Sequence, residues 1–442
     1  MSLFCGAGKA DLTPDIDISL AGYAGNTRRA SGIHDPIYSR VIVLQNEQTT
    51  FVFVSLDLVG IDRFYYKRLT EQIYQTFGIS SEQVFIHATH THSGPGGIFH
   101  QDSLIAKAFP YMNGYSAYQQ HVVEEQHVVE EQHEKIIQAI GSAVEQLQPC
   151  EIFYGEGVAK GIATNRNDPK KPYDSKLRVV EFRYDTGESA ILYHFACHPT
   201  ILDPKNVFFS ADLPGVTSTN LEAKSDIQLA LYVNGPSADI STRYTRRKAS
   251  FSEVDRLGKK LADGVKTILP DMLKTESEPL ISISTDFHLN TRKIANVSFL
   301  EEQKRNLMQK YERLKETEDY LEADLRQLES QIEGVATTLD IGEKFKGIDE
   351  IETQLQFLRI GKIIFVSVPG EFYFESGKEI TDAFEVPILI AGNTNDHLGY
   401  IVPSHYYSKG YYESYMTLLE ADSDEKIKTL VKETIENILN KK

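Results

Sequence analysis

Residues 80–97 read SSEQVFIHATHTHSGPGG. The first four residues have the pattern of a helix-capping box, but Val84, Phe85 and Ile86 follow at once and replace helical spacing with a short apolar run. The stretch therefore reads as a turn entering a short buried strand, with the histidine cluster at the strand's carboxyl end and a turn-forming tail of glycine and proline behind it. Three of the chain's 13 histidines, His87, His90 and His92, fall within six residues. On extended backbone, residues two apart face the same side, so His90 and His92 are expected to share one cavity while His87 faces away. A His-x-His pair is a common start to a zinc site, because Zn²⁺ favours imidazole nitrogen, but it needs further ligands from elsewhere. Histidines satisfied by their own neighbours give the same pattern.

Upstream, residues 40–58 read as two β-rich runs around a polar turn and residues 62–77 have helical spacing, a β-β-α opening. Downstream, residues 121–132 are a tandem repeat, HVVEEQHVVEEQ, followed by His133. On a helix, positions six apart differ by about 240°, so His121, His127 and His133 point to three sides and do not form a metal site. Strands are expected at 151–155, 177–183, 190–196, 362–368 and 386–391, and helices at 251–272 and 424–440, with a break near Glu276 to Pro279.

Leucines recur at 300, 307, 314, 321 and 328, with Tyr311, Leu325 and Ile332 on a neighbouring stripe and charges between. Such a heptad pattern serves either a homodimer contact or a helix or helical hairpin packed on its own domain. As one unbroken helix of about 35 residues it would project roughly 50 Å, and it is expected to stand outside any catalytic pocket. No Gly-, Ser- or Pro-rich linker isolates either side of it. The expected organisation is thus an α/β catalytic body of mixed sheets and flanking helices, built from residues 1–295 and 341–442, with 296–340 as a coiled-coil-like helical excursion.

The composition, 41% hydrophobic and 25% charged, is that of an ordinary globular protein. A formal charge of −17 argues against nucleic acid or an anionic bilayer as the main partner. The first residues lack a basic region followed by an apolar run, and no stretch has the apolar length of a membrane helix, so the expected location is the cytoplasm. Cys5, Cys150 and Cys197 are widely scattered, which suits a reducing compartment and offers no metal-binding spacing.

Three further segments follow predicted strands: HFACHPT (194–200), VPGEFYFESG (368–377) and NDHLGYIVP (395–403). Sites in α/β sheets gather at the carboxyl ends of strands, so these segments and the histidine cluster are candidates for one pocket. HTHSGPGG, CHPT, VPGEF and NDHLGYIVP followed by GYYESY resemble, in the same order, motifs of the neutral or alkaline ceramidase family of zinc amidases. The resemblance runs from CGAGKADLTP and AGYAG, near residue 5, to about residue 420. It implies one Zn²⁺ per chain held by His90, His198, Glu371 and Tyr400, with His92 as an acid/base or oxyanion group. Arg166, in ATNRND, matches the family's Asn-Arg motif, and Tyr412 matches its site tyrosine, so both are implied to contact substrate. Ser241, in NGPSADISTR, falls at the family's Gly-Asp-Val-Ser-Pro serine, but Ala238 and Thr242 depart from that motif.

The implied reaction is hydrolysis of the amide bond in an N-acylated substrate, ceramide or a related small or lipid-like compound, by metal-activated water. A chain without a membrane-binding element has poor access to a bilayer lipid, so ceramide is one candidate among N-acyl compounds. Two other readings are a hydrolase using Ser241 as nucleophile, and a non-catalytic interaction protein with a structural metal.

Overall fold

The computed structural model describes residues 2–15, 17–23, 28–96, 98–100, 102–109, 122–293, 296–317, 320–344 and 348–440. The first of the two principal sheets is mixed and runs in the order Ile227–Asn234, Ser189–Phe195, Lys176–Tyr184, Gln148–Val158, Phe4–Asp11, Tyr38–Gln45, Thr50–Leu56, Val84–Ala88, with Leu273–Lys274 added on Gln148–Val158. Its two terminal pairs, Ser189–Phe195 with Ile227–Asn234 and Thr50–Leu56 with Val84–Ala88, are parallel, and the pairs between them are antiparallel. The sheet's ends approach one another: Ser55 Oγ donates to the Tyr232 carbonyl (2.8 Å), and the Asn234 amide donates to His87 Nε2 (3.0 Å). His87, on the strand itself, thus does face away from the cavity, and it joins the two edges.

The second principal sheet has the order Leu280–Asn290, Glu350–Ile360, Ile363–Ser367, Ile388–Ala391, and its last pair is parallel. The two sheets share a core in which Phe53 and Phe85 meet Leu358, Phe365 and Leu389, the Phe53 and Phe365 rings lying edge to face at 4.9 Å. At the carboxyl ends the backbones also interlock. Ala88 N donates to Asn393 O, Asn395 N to Ile86 O, and Gly392 N to Asn234 O (2.8–3.1 Å). Three strand ends are thereby fixed side by side.

Helices cover the outer faces. Val122–Glu145 packs on Phe4–Asp11 so closely that a Cβ at Gly6 or Gly8 would fall 1.9 or 2.0 Å from the carbonyl oxygens of Ala143 and Ala139. These glycines, two apart on one strand face, allow that approach. The β-β-α opening, the turn at 80–83 with both capping-box bonds, and the amphipathic helices Phe251–Ile268 and Ser423–Asn440 match their sequence patterns. Strands Phe4–Asp11, Ile227–Asn234, Leu280–Asn290 and Glu350–Ile360 and helix Asp212–Glu222 were not anticipated, although Ile281-Ser282-Ile283-Ser284 alternates as a strand does. Of the tandem-repeat histidines, His121 lies outside the described residues, His127 is exposed, and His133 is buried against Gln72.

The heptad stretch takes the packed-hairpin reading and corrects the expectation that it stands outside the pocket. It is a hairpin of two helices, Val297–Lys315 and Glu322–Lys344, in which Leu300 and Leu307 pack on Leu328, Ile332, Val335 and Leu339 of the second helix and on Tyr415 of the body. Leu300 and Leu307 of the stripe are buried and Leu314 and Leu328 half-buried within the chain, with Leu321 exposed between the helices, which gives no support to a homodimer through it. The hairpin is also not remote from the pocket, because Arg326, Ser330 and Glu333 line it. The cause is a second helical stripe at spacings of four and three, on a different side from the leucines, which the heptad reading did not follow. No described helix is long and apolar enough to cross a membrane.

Candidate metal centre

Strand Val84–Ala88 ends before His90 and His92, and His90 adopts a left-handed backbone with φ of 70°. His90 and His92 do share a cavity, but through this turn and not through strand alternation. The turn is pinned by hydrogen bonds from Thr89 N to Leu56 O (2.8 Å) and from His90 N to Leu58 O (2.9 Å). His198 follows strand Ser189–Phe195 and is held by its amide to Ile240 O (2.8 Å). Glu371 and Tyr400 lie opposite each other in a short parallel pair after the second sheet.

Three imidazoles converge. The Nε2 atoms of His90 and His198 are 3.2 Å apart, those of His90 and His92 3.2 Å, and those of His198 and His92 3.1 Å. The three rings are buried and form a group able to hold a metal ion. His90 Nδ1 lies 2.6 Å from the Val59 carbonyl and His198 Nδ1 3.4 Å from the Ser237 carbonyl. Only an N–H can serve those carbonyls, so both rings direct Nε2 lone pairs at the centre. Two lone pairs at that separation repel unless a cation lies between them, and about 2.0–2.1 Å per Zn–N bond fits such spacing. Burial, reinforced by the neighbouring imidazoles and Arg166, holds His92 and His198 below the ordinary imidazole range, so both rings stay neutral.

Glu371 supplies the second sign of fit. Its Oε2 is buried without a hydrogen-bond partner, 3.5 Å from His90 Nε2 and 3.7 Å from His198 Nδ1. An unpaired buried carboxylate oxygen beside the His90 Nε2 lone pair is costly, and a cation held between them offsets that cost. His92 differs from the other two histidines: its Nδ1 lies beside the Gly22 backbone but makes no hydrogen bond of normal geometry. Gly22, at φ of 101°, has no room for a side chain, since a Cβ would come within 2.6 Å of the His92 ring.

The remaining predicted residues surround this centre. Arg166 is buried between Glu413 and Tyr400, its Nε 2.6 Å from Glu413 Oε1 and its Nη2 donating to the Tyr400 hydroxyl (3.1 Å). Tyr412 lines the pocket with its ring edge-on to Tyr400, centroids 5.8 Å apart. Ser241 also lines the pocket, but its Oγ accepts from the Arg243 amide (3.2 Å), and among the described residues no imidazole is hydrogen-bonded to it. It thus has no imidazole poised as the base of a Ser-His pair.

Several residues of the site were not singled out in the sequence. His397 lies in the quoted NDHLGYIVP segment; its Nδ1 meets Asn393 Oδ1 at 2.9 Å, and its ring lines the pocket. Glu413 lies in GYYESY and also accepts from Asn167 Nδ2 (2.8 Å) and the Tyr373 hydroxyl (3.3 Å). Both sat inside recognised motifs and could have been found there. Tyr23, Arg243, Arg246 and Arg326 also reach the pocket, whose volume is about 810 Å³ including its open mouth; Tyr23 and Arg243 sit inside the quoted AGYAG and NGPSADISTR, whereas Arg246 and Arg326 had no sequence signal.

Comparisons with known proteins agree with this architecture. Residues 4–236 match the family described as neutral/alkaline non-lysosomal ceramidase, N-terminal. The neutral ceramidase of Pseudomonas aeruginosa is 27% identical over 235 residues, covering 49% of this chain and 33% of that protein. Neutral ceramidase 2 of Arabidopsis thaliana is 26% identical over 267 residues, covering 55% of this chain and 32% of that protein. The matches thus span about a third of these relatives' length. The crystal structure of the Pseudomonas aeruginosa neutral ceramidase superposes with a TM-score of 0.75 at 20% identity, covering 98% of this chain and 73% of that one. Glu371, Tyr400 and Tyr412 lie beyond the family match, in a region that this likeness of fold includes. With more than half of its residues matched, the chain belongs to the neutral/alkaline non-lysosomal ceramidase family.

Proposed function

We propose that the protein is a zinc-dependent hydrolase that cleaves the amide bond of an N-acylated substrate, releasing a fatty acid and an amine, with ceramide as one candidate. The observation that carries this reading is the pair of carbonyl-anchored imidazoles, His90 and His198, directing lone pairs at a centre that also faces the unpartnered Glu371 carboxylate oxygen. His90, His198 and Glu371 are the proposed ligands, with Tyr400 closing the set. Bound zinc supplies Lewis-acid polarisation of the scissile carbonyl and lowers the pKa of water.

The chain's own side chains do the rest. His92, without the second anchor of the other two rings, is the group that carries a proton, toward the leaving amine nitrogen. Tyr412 donates its hydroxyl to the carbonyl oxygen as negative charge develops there. Arg166 orients the Tyr400 hydroxyl and is itself fixed by Glu413. Ile105, Phe109 and Met416, members of one apolar cluster that also includes Tyr400, form the wall that takes the acyl chain and excludes water.

Elemental analysis combined with hydrolysis of simple N-acyl amides tests the reading. About one zinc per chain, activity lost to a chelator and restored by zinc, is the expected result. Activity that survives chelation and is blocked by a serine-acylating reagent replaces it with a Ser241 mechanism. Zinc without hydrolysis leaves a structural metal.

A further inference from the structure

Besides its apolar residues the pocket carries a group of cations. Arg166, Arg243, Arg246 and Arg326 all line it in a chain whose formal charge is −17, so the local surplus is not a reflection of a basic surface. Two of the four are neutralised: Arg166 by Glu413 at 2.6 Å, and Arg326 by Glu333 at 2.9 Å and Glu329 at 3.3 Å. Arg243 and Arg246 have no carboxylate at ion-pair distance among the described residues. Arg243 donates to neutral acceptors, the Arg166 carbonyl (3.1 Å) and Ser330 Oγ (3.3 Å), and Arg246 donates to the carbonyls of Thr200 and Ile201. Asp203 also lines the pocket and pairs with neither.

Burial, together with Arg166 and Arg326, works against the Arg243 charge. A guanidinium does not give up its proton in a protein, so the imbalance remains as a demand for a counter-anion. The hydroxyl groups of a sphingoid base, which carries no negative charge, do not meet that demand.

We propose that the physiological substrate bears an oxyanion, a carboxylate or a phosphate, on the amine side of the scissile amide, and that Arg243, supported by Arg246, anchors it. The apolar wall of Ile105, Phe109 and Met416 accommodates the acyl half, which leaves the arginine wall for the amine half. The proposal rests on the amide-hydrolase reading above and adds the charge of the leaving group.

The test uses zinc-loaded full-length protein and four substrates: N-decanoylglycine, N-decanoyl-O-phosphoethanolamine, N-decanoylethanolamine and a short-chain ceramide. At least one anionic amide should exceed both neutral ones in kcat/KM by roughly 10- to 100-fold, the value of a charge-assisted hydrogen bond. Which of the two leads identifies the anion. Arg243→Gln should reduce kcat/KM on that substrate by a similar factor, chiefly through KM, and Arg243→Lys should recover part of the loss. The wild-type series does not depend on either variant folding. Calorimetric binding of decylsulfonylglycine, which cannot be hydrolysed, against its ethanolamine counterpart supplies a readout independent of turnover. Equal or better hydrolysis of the neutral amides overturns the anion site and leaves the amidase reading standing. Tight, Arg243-dependent binding of the sulfonyl anion with no amide hydrolysed does the reverse. Neither binding nor hydrolysis overturns both.

Discussion

His90 and His198 are 108 residues apart in the chain, yet their Nε2 atoms lie 3.2 Å from each other, each ring fixed from behind by a backbone carbonyl. Removing either ring should therefore abolish metal binding more completely than it harms the fold. His198→Ala is expected to lose its zinc while keeping native circular dichroism. Full occupancy in that variant, measured by elemental analysis, would remove His198 from the ligand set.

The unanchored ring of His92 leads to a different expectation. His92→Ala should keep its metal and lose on the order of 10²- to 10⁴-fold in turnover, the usual range for a proton-transfer group. His90→Ala should lose the metal itself. Zinc content and amide hydrolysis measured on both variants decide the roles, and the reversed pattern would exchange them.

Close approach at Gly22 gives a prediction that tests the position of the His92 ring without removing it. Gly22→Ala places a methyl group within 2.6 Å of the His92 ring, on a backbone at φ of 101° that alanine rarely adopts. The ring must move, so turnover should fall at least tenfold while the melting temperature changes by only a few degrees, since overpacking costs about 1–3 kcal/mol. Unchanged turnover would mean that the His92 position is not critical.

Burial holds the His194 imidazole down to about 3, and its Nε2–H donates to the Ile390 carbonyl at 2.8 Å. The unfolded chain takes up a proton here near pH 6.5 and the native chain does not. The contribution is present above that pH and is lost as pH falls, reaching about 2 kcal/mol at pH 5. His194→Gln abolishes this dependence. Denaturant unfolding of both proteins at pH 8 and pH 5 should show the gap between them narrowing by that amount, whereas a constant gap would mean that His194 titrates normally in the native state.

In the helical hairpin, Leu307 is buried against the second helix. Leu307→Ala should cost about 2–5 kcal/mol locally, seen as faster amide exchange through Val297–Lys344, with no change in sedimentation. A shift from dimer to monomer would show that the stripe joins two chains after all.

The sequence by itself determined the local elements and the chemistry available to them. Period-two and period-3.6 patterns reported the strands at 40–58 and the helices at 62–77 and 424–440, because a half-buried element repeats at its own geometric period. Motifs supplied His90, His92, His198, Glu371, Tyr400 and Tyr412 as a set, without their separations. Tertiary structure decided the rest. The glycines of Phe4–Asp11 make sense only against the helix that presses on them, and Leu280–Asn290 finds its partner, Glu350–Ile360, across an entire helical hairpin. The left-handed turn at His90, and not strand alternation, aims the two histidines. The arginine wall draws Arg166, Arg243 and Arg326 from distant parts of the chain. Local sequence sets backbone preference and periodicity, but which side chains meet depends on the packing of strand ends far apart in the chain, and a charge has meaning for function only once its partners are fixed.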